Sequence, residues 1–139
     1  MSLSIRNRLP GTVTDVTPGE AMATVKVRLG GGQELTAAIT LEAVKDLGLA
    51  TGTPVTALVK STDVALATES VSGLSIRNQL PGTVTDVTPG EAMATVKVSV
   101  EGGELTAAIT RESAAELGLA QNSAVTALIK STEVALAVS

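Results

Sequence analysis

A chain of 139 residues with a net charge of −4 and no Cys, His, Phe, Tyr or Trp excludes several classes at the outset. No disulfide framework is possible, and the commonest transition-metal ligand and general base is missing. Nor can the chain build the aromatic platforms that contribute about 1–3 kcal/mol per base in nucleic-acid binding, so an acidic chain of this kind is expected to have no nucleic-acid partner.

An internal repeat dominates the sequence. Residues 3–29 align with 74–100 at 24 of 27 positions, the exceptions being Arg8/Gln79, Arg28/Ser99 and Leu29/Val100. After a one-residue deletion, 34–67 aligns with 104–137 at 23 of 34 positions. Two copies make a duplicated globular domain and not a solenoid. The domains are set at 1–69 and 70–139, joined by the polar segment 68–73. A unit of about 70 residues buries a modest share of its surface and gains from association. The start, Met1-Ser2-Leu3-Ser4-Ile5-Arg6, lacks the charged and apolar regions of a signal peptide. No run approaches the roughly 18–20 apolar residues of a membrane span. The expected location is the cytoplasm, with no membrane partner.

In the first copy, residues 3–9 read as a first strand stopped by Pro10-Gly11, and 12–16, rich in Thr and Val, as a second. Thr17-Pro18-Gly19 is a turn signal. From 23 to 29 the chain alternates, with Ala23, Val25, Val27 and Leu29 on one face and Thr24, Lys26 and Arg28 on the other. That period of two marks a half-buried strand. Gly30-Gly31-Gly32 then allows a hairpin, and Leu35, Ala37 and Ile39 alternate on the return. Thr40 is placed to cap a short helix through residue 47, with Gly48 as its stop; in the second copy the span runs from Thr110 to 117 and Gly118. Thr51-Gly52-Thr53-Pro54 forms a turn, and Asn122 replaces Gly52 in the second copy, as a left-handed position tolerates. Val55, Ala57 and Val59 give a further strand, Lys60-Ser61-Thr62 interrupts it, and 64–66 is an apolar finish. The fold class expected is all-β: two tandem five-stranded barrels of the OB type, each with one short helix, with a two-sheet sandwich as the rival.

Catalysis has little to work with. No nucleophile–base pair, paired carboxylate motif or metal-spaced cluster stands out, so no catalytic or metal-ligating residue is assigned. The glycine run joins two strands and opens no helix, unlike a phosphate-binding loop. A small oxyanion, by contrast, needs only convergent hydroxyls, backbone N–H groups, Arg and Lys. Arg8, Arg28 and Lys45 become Gln79, Ser99 and Ala115, whereas Arg6/Arg77, Lys26/Lys97 and Lys60/Lys130 are basic in both copies. Lys26 lies on the polar face of a strand and reads as a solvated charge. Arg6 and Lys60 stand beside hydroxyl residues at strand interruptions. Residue chemistry alone leaves anion binding and solvated surface both open.

Ser4-Ile5-Arg6-Asn7, the glycine hairpin, Ile39-Thr40 leading into a helix, and Lys60-Ser61-Thr62 together resemble a molybdate-binding Mop domain, or molbindin. The tandem arrangement is similar to the di-Mop proteins that store molybdate in bacterial cytoplasm. The resemblance implies OB-type barrels that assemble as homotrimers and hold molybdate or tungstate at domain and subunit interfaces, with no cofactor. It implies that Ser4 and Arg6 of one domain meet Lys60 and Ser61 of a neighbour, with Ser75, Arg77, Lys130 and Ser131 in the same roles. Asn7, Asn78, Thr62 and Thr132 would support these loops. The family often has Ala after the first Ser, where this chain has Ile5 and Ile76, a bulkier side chain that narrows the pocket. The alternative function is a ligand-sensing or structural β-barrel interaction module.

Overall fold

The computed structural model describes residues 2–69 and 71–138. Met1, which begins the N-terminal reading, Ser70 of the expected linker, and Ser139 lie outside the described residues. The first copy forms β1 (Asn7–Pro18), β2 (Met22–Leu29), β3 (Glu34–Thr40), α1 (Leu41–Leu47), β4 (Pro54–Val59), a 3₁₀ turn at Ser61–Asp63 and β5 (Ala65–Ala67). The second repeats it as β6 (Asn78–Pro89), β7 (Met93–Val100), β8 (Gly103–Thr110), α2 (Arg111–Glu116), β9 (Ala124–Ile129), a 3₁₀ turn at Ser131–Glu133 and β10 (Ala135–Ala137). The all-β expectation holds, with two curled five-stranded antiparallel sheets and one short helix per copy.

The local signals act as their chemistry dictates. In β2 the burial alternates strictly, placing Ala23, Val25, Val27 and Leu29 in the core. The Thr40 hydroxyl accepts from Ala43 N–H at 3.1 Å, and Gly48 ends α1 at φ 63. Thr110 caps α2 in the same way. Asn122 takes φ 74 where Gly52 takes φ 97, a left-handed turn position that Asn can hold.

Pro10-Gly11 does not end a strand. The two expected strands, 3–9 and 12–16, are one 12-residue strand that starts only at Asn7 and kinks at a bulge between Val13 and Asp15. The Val13 N–H donates to Thr53 O, so alternate amides face β4 and the position of Pro10 faces β2. Pairing with β2 begins only at Gly11↔Leu29, so the N–H that proline lacks had no partner to lose. Gly11 lets β1 and β2 approach closely where the sheet turns. A Cβ there would lie 2.6 Å from Arg28 O and 2.7 Å from Val27 Cγ1. Gly11→Ala is therefore expected to destabilise by about 1–3 kcal/mol, read as a lower melting temperature. An unchanged melt would mean that the strands part there at no cost.

The sheets do not follow the sequence copies. Their orders are β10-β4-β1-β2-β3 and β5-β9-β6-β7-β8, so each copy lends its last strand to the other. β10 pairs with β4 through Ala135↔Leu58, Leu136↔Ala57 and Ala137↔Thr56, and β5 pairs with β9 through Ala65↔Leu128, Leu66↔Ala127 and Ala67↔Thr126. The Ser61–Asp63 turn packs against β8 and the Ser131–Glu133 turn against β3. Each barrel is thus closed by residues from the opposite copy, and Val64 and Val134, both 2% exposed, enter the core at the crossings.

Candidate functional site

Two polar segments per copy carry the candidate donors, and the fold fixes each differently. The first, Ser4-Ile5-Arg6, precedes β1 outside regular structure; Ser4 and Arg6 are exposed and Ile5 is half-buried. Asn7 opens β1 and is 2% exposed. Its amide nitrogen donates to Thr106 O at 2.9 Å while its amide oxygen accepts from Thr106 N–H at 2.7 Å. Asn78 repeats this on Thr36, with both bonds at 2.8 Å. β3 and β8 are terminal strands of their sheets, with backbone groups that need partners. Each Asn side chain supplies one pair, as an added strand residue would.

Arg8 and Gln79 brace the first segment. Arg8 donates from Nε to Ile5 O at 3.1 Å and from Nη2 to Leu3 O at 3.0 Å; Gln79 donates from Nε2 to Ile76 O at 3.1 Å. By charge alone Arg8/Gln79 is a position that changes freely between the copies. The available signal was that Arg and Gln both carry a long N–H donor.

The second segment lies at the strand crossing. Lys60 and Thr62 are exposed and Ser61 is half-buried; Lys130, Thr132 and Ser131 match them. Asp63 N–H donates to Lys60 O at 2.9 Å and Val64 N–H to Ser61 O at 3.4 Å. The Ser61 and Thr62 amides stand ahead of these closing bonds and are not used in the turn.

Two clefts form beside these turns. One, of about 150 Å³, is walled by Ile5, Leu58, Lys60, Asp63, Thr132, Glu133, Val134 and Ala135. Its counterpart, of about 330 Å³, is walled by Thr62, Asp63, Val64, Ala65, Ile76, Ala108, Ile109, Lys130 and Glu133. Each joins the Ile and Lys of one copy to the Thr of the other. Neither wall includes Ser4, Arg6, Ser61, Ser75, Arg77 or Ser131. Asp63 and Glu133 line both clefts, so neither cleft by itself is walled by donors alone. These clefts therefore set Lys60 beside Thr132 and Lys130 beside Thr62, and neither of them gathers Ser4, Arg6, Lys60 and Ser61. Among the described residues, no group of three or more His, Cys, Asp or Glu side chains could hold a metal ion.

A TOBE domain model matches residues 3–66 and again 74–136. The chain is 40% identical over 139 residues to the molybdenum transport protein ModE of Azotobacter vinelandii, covering 99% of this chain and 52% of that protein. It is 42% identical over 136 residues to the molybdenum-pterin-binding protein MopB of Rhodobacter capsulatus, covering 96% of this chain and 50% of that one. The chain thus spans about half the length of these curated relatives. A solved structure of the cytoplasmic molybdate-binding protein ModG, with molybdate bound, superposes with a TM-score of 0.97 at 42% identity over 100% of both chains. The likeness to tandem Mop-domain proteins is borne out, and with its two domain matches the chain belongs to the TOBE-domain family.

Proposed function

We propose that the protein binds molybdate, and tungstate with it, for storage and homeostasis in the cytoplasm, and performs no catalysis. The observation that carries this reading is the whole-length likeness, at a TM-score of 0.97, to a structure with molybdate bound. The chemistry of the exposed donors supports it. Ser4, Arg6, Lys60 and Ser61, and Ser75, Arg77, Lys130 and Ser131, supply hydroxyls and cations suited to an unprotonated tetrahedral dianion. Ile5 shares one cleft with Lys60 and Ile76 the other with Lys130, but neither wall includes Ser4, Arg6, Ser75 or Arg77; in this reading a neighbouring subunit of a homotrimer completes the site. A net charge of −4 repels a dianion at long range, but salt screens this beyond about 8–10 Å, leaving short-range donors to supply the affinity. A site of donors only also rejects phosphate, whose proton needs an acceptor, while sulfate must be rejected by size.

A thermal melt tests the reading. At about 100 times its dissociation constant, a ligand adds about 2.7 kcal/mol per independent site, so molybdate and tungstate should raise the melting temperature by several degrees while phosphate does not. Replacing both Lys60 and Lys130 by Ala should abolish the rise and leave the ligand-free melt nearly unchanged, since both side chains are exposed. No rise with either oxyanion in the unaltered protein would sink the proposal. The second reading, a ligand-sensing module of a longer regulator, is favoured by the half-length match to ModE. It predicts that the oxyanion changes how the chain binds a partner segment as well as how it melts.

A further inference from the structure

The Ser4-Ile5-Arg6 segment lies outside regular structure, so something other than a strand ladder must set which way its peptide groups face. Among the described residues there is no cis peptide bond. In a planar trans peptide the carbonyl of one residue and the N–H of the next point in opposite directions. Whatever holds the Ile5 carbonyl toward the residue-8 side chain therefore turns the Arg6 N–H away from it. Arg8 holds that carbonyl at 3.1 Å and the Leu3 carbonyl at 3.0 Å, which sets the Arg6 and Ser4 amides together. In the second copy Gln79 holds the Ile76 carbonyl at 3.1 Å, which sets the Arg77 amide. Position 8/79 is one of the three differences among the first 27 aligned residues, yet two chemically different side chains reach the same carbonyl. A carbonyl oxygen left free beside the donors would present partial negative charge to the anion and an acceptor to a protonated competitor.

We propose that Arg8 and Gln79 are positioning residues of the oxyanion sites, holding the Leu3, Ile5 and Ile76 carbonyls away so that the Ser4, Arg6 and Arg77 backbone N–H groups face the ligand. This rests on the molybdate reading above. It also makes the copies unequal, because Arg8 orients two peptide groups and Gln79 one.

Calorimetric titration with molybdate and backbone heteronuclear NOE measurement on the ligand-free chain test this together, on the unaltered protein, on Arg8→Gln, and on Arg8→Leu combined with Gln79→Leu. Arg8→Gln gives both copies the same amide and should bind within about threefold of the unaltered protein, whereas the double Leu variant should bind about tenfold more weakly. Its ligand-free melt should not move, and the backbone heteronuclear NOE at residues 4–6 and 75–77 should fall. Double Leu binding as tightly as the unaltered protein, or an unchanged heteronuclear NOE at those residues, overturns the proposal and leaves the molybdate reading standing. Arg8→Gln weakening binding as much as the double Leu variant also overturns it, since the arginine would then act by charge. If the unaltered protein binds no molybdate, the reading itself falls and the proposal with it.

Discussion

Residues 1–69 produced alone are expected to yield no folded monomer. In the intact chain the β4 edge is completed by β10 and β5 completes β9, so a single copy has an unpaired β4 edge and a strand with no sheet. Its Asn7 would also lack the Thr106 backbone. Two such fragments can complete each other, because Ala65-Leu66-Ala67 matches Ala135-Leu136-Ala137 and Thr56-Ala57-Leu58 matches Thr126-Ala127-Leu128. The fragment should therefore sediment as a dimer or a multiple of one, with a melting temperature that rises with protein concentration. The competing outcome has a definite structure. The Lys60–Val64 stretch would close into a hairpin and lay β5 on its own β4. A folded monomer with a concentration-independent melt would establish that outcome and show that the exchange is not intrinsic to the sequence.

The second large effect is expected at the two asparagines. Asn7→Ala leaves both the N–H and the C=O of Thr106 without the partners they have now, at a site where the side chain is 2% exposed. Each abandoned backbone group costs about 1–3 kcal/mol, so one substitution should cost roughly 2–6 kcal/mol and lower the melting temperature by about 10 °C or more. Asn78→Ala should act alike through Thr36. The double variant should lose an amount comparable to the roughly 5–15 kcal/mol that holds a domain folded. Asn7→Asp is a sharper probe than Ala. It keeps the acceptor for Thr106 N–H but sets a carboxylate against Thr106 O, so at neutral pH it should be at least as damaging. Melts of the alanine variants within about 2 °C of the unaltered protein, inside the range of ordinary surface changes, would show that water or backbone adjustment replaces the clamp.

These two residues also mark the limit of what could be read in the chain. Asn7 and Asn78 were expected to support binding loops, and nothing local distinguishes that from docking onto a strand about 99 residues away for Asn7. The donors Ser4, Arg6, Lys60 and Ser61 could be singled out because residue type and strand interruption are local properties. Whether they converge is not local, and within one chain the clefts bring together other combinations, Lys60 with Thr132 and Lys130 with Thr62. Arg8 and Gln79 differ in charge, which hides in the sequence the geometry they share.

By itself the sequence determined the duplication, the all-β class, the alternating core of β2, the Thr40 cap and the left-handed turns at Gly52 and Asn122. Each depends on contacts a few residues apart or on a period of two. Tertiary structure alone decided that Pro10 lies inside a strand, since that depends on where β2 ends. It alone decided which sheet receives β5 and β10. The two β4-type edges present the same residues at 56–58 and 126–128, so no pairing preference is written into the strands. The choice falls to the 3₁₀ turns that direct the chain across, and to the Asn–Thr clamps that hold the two copies together once it has crossed.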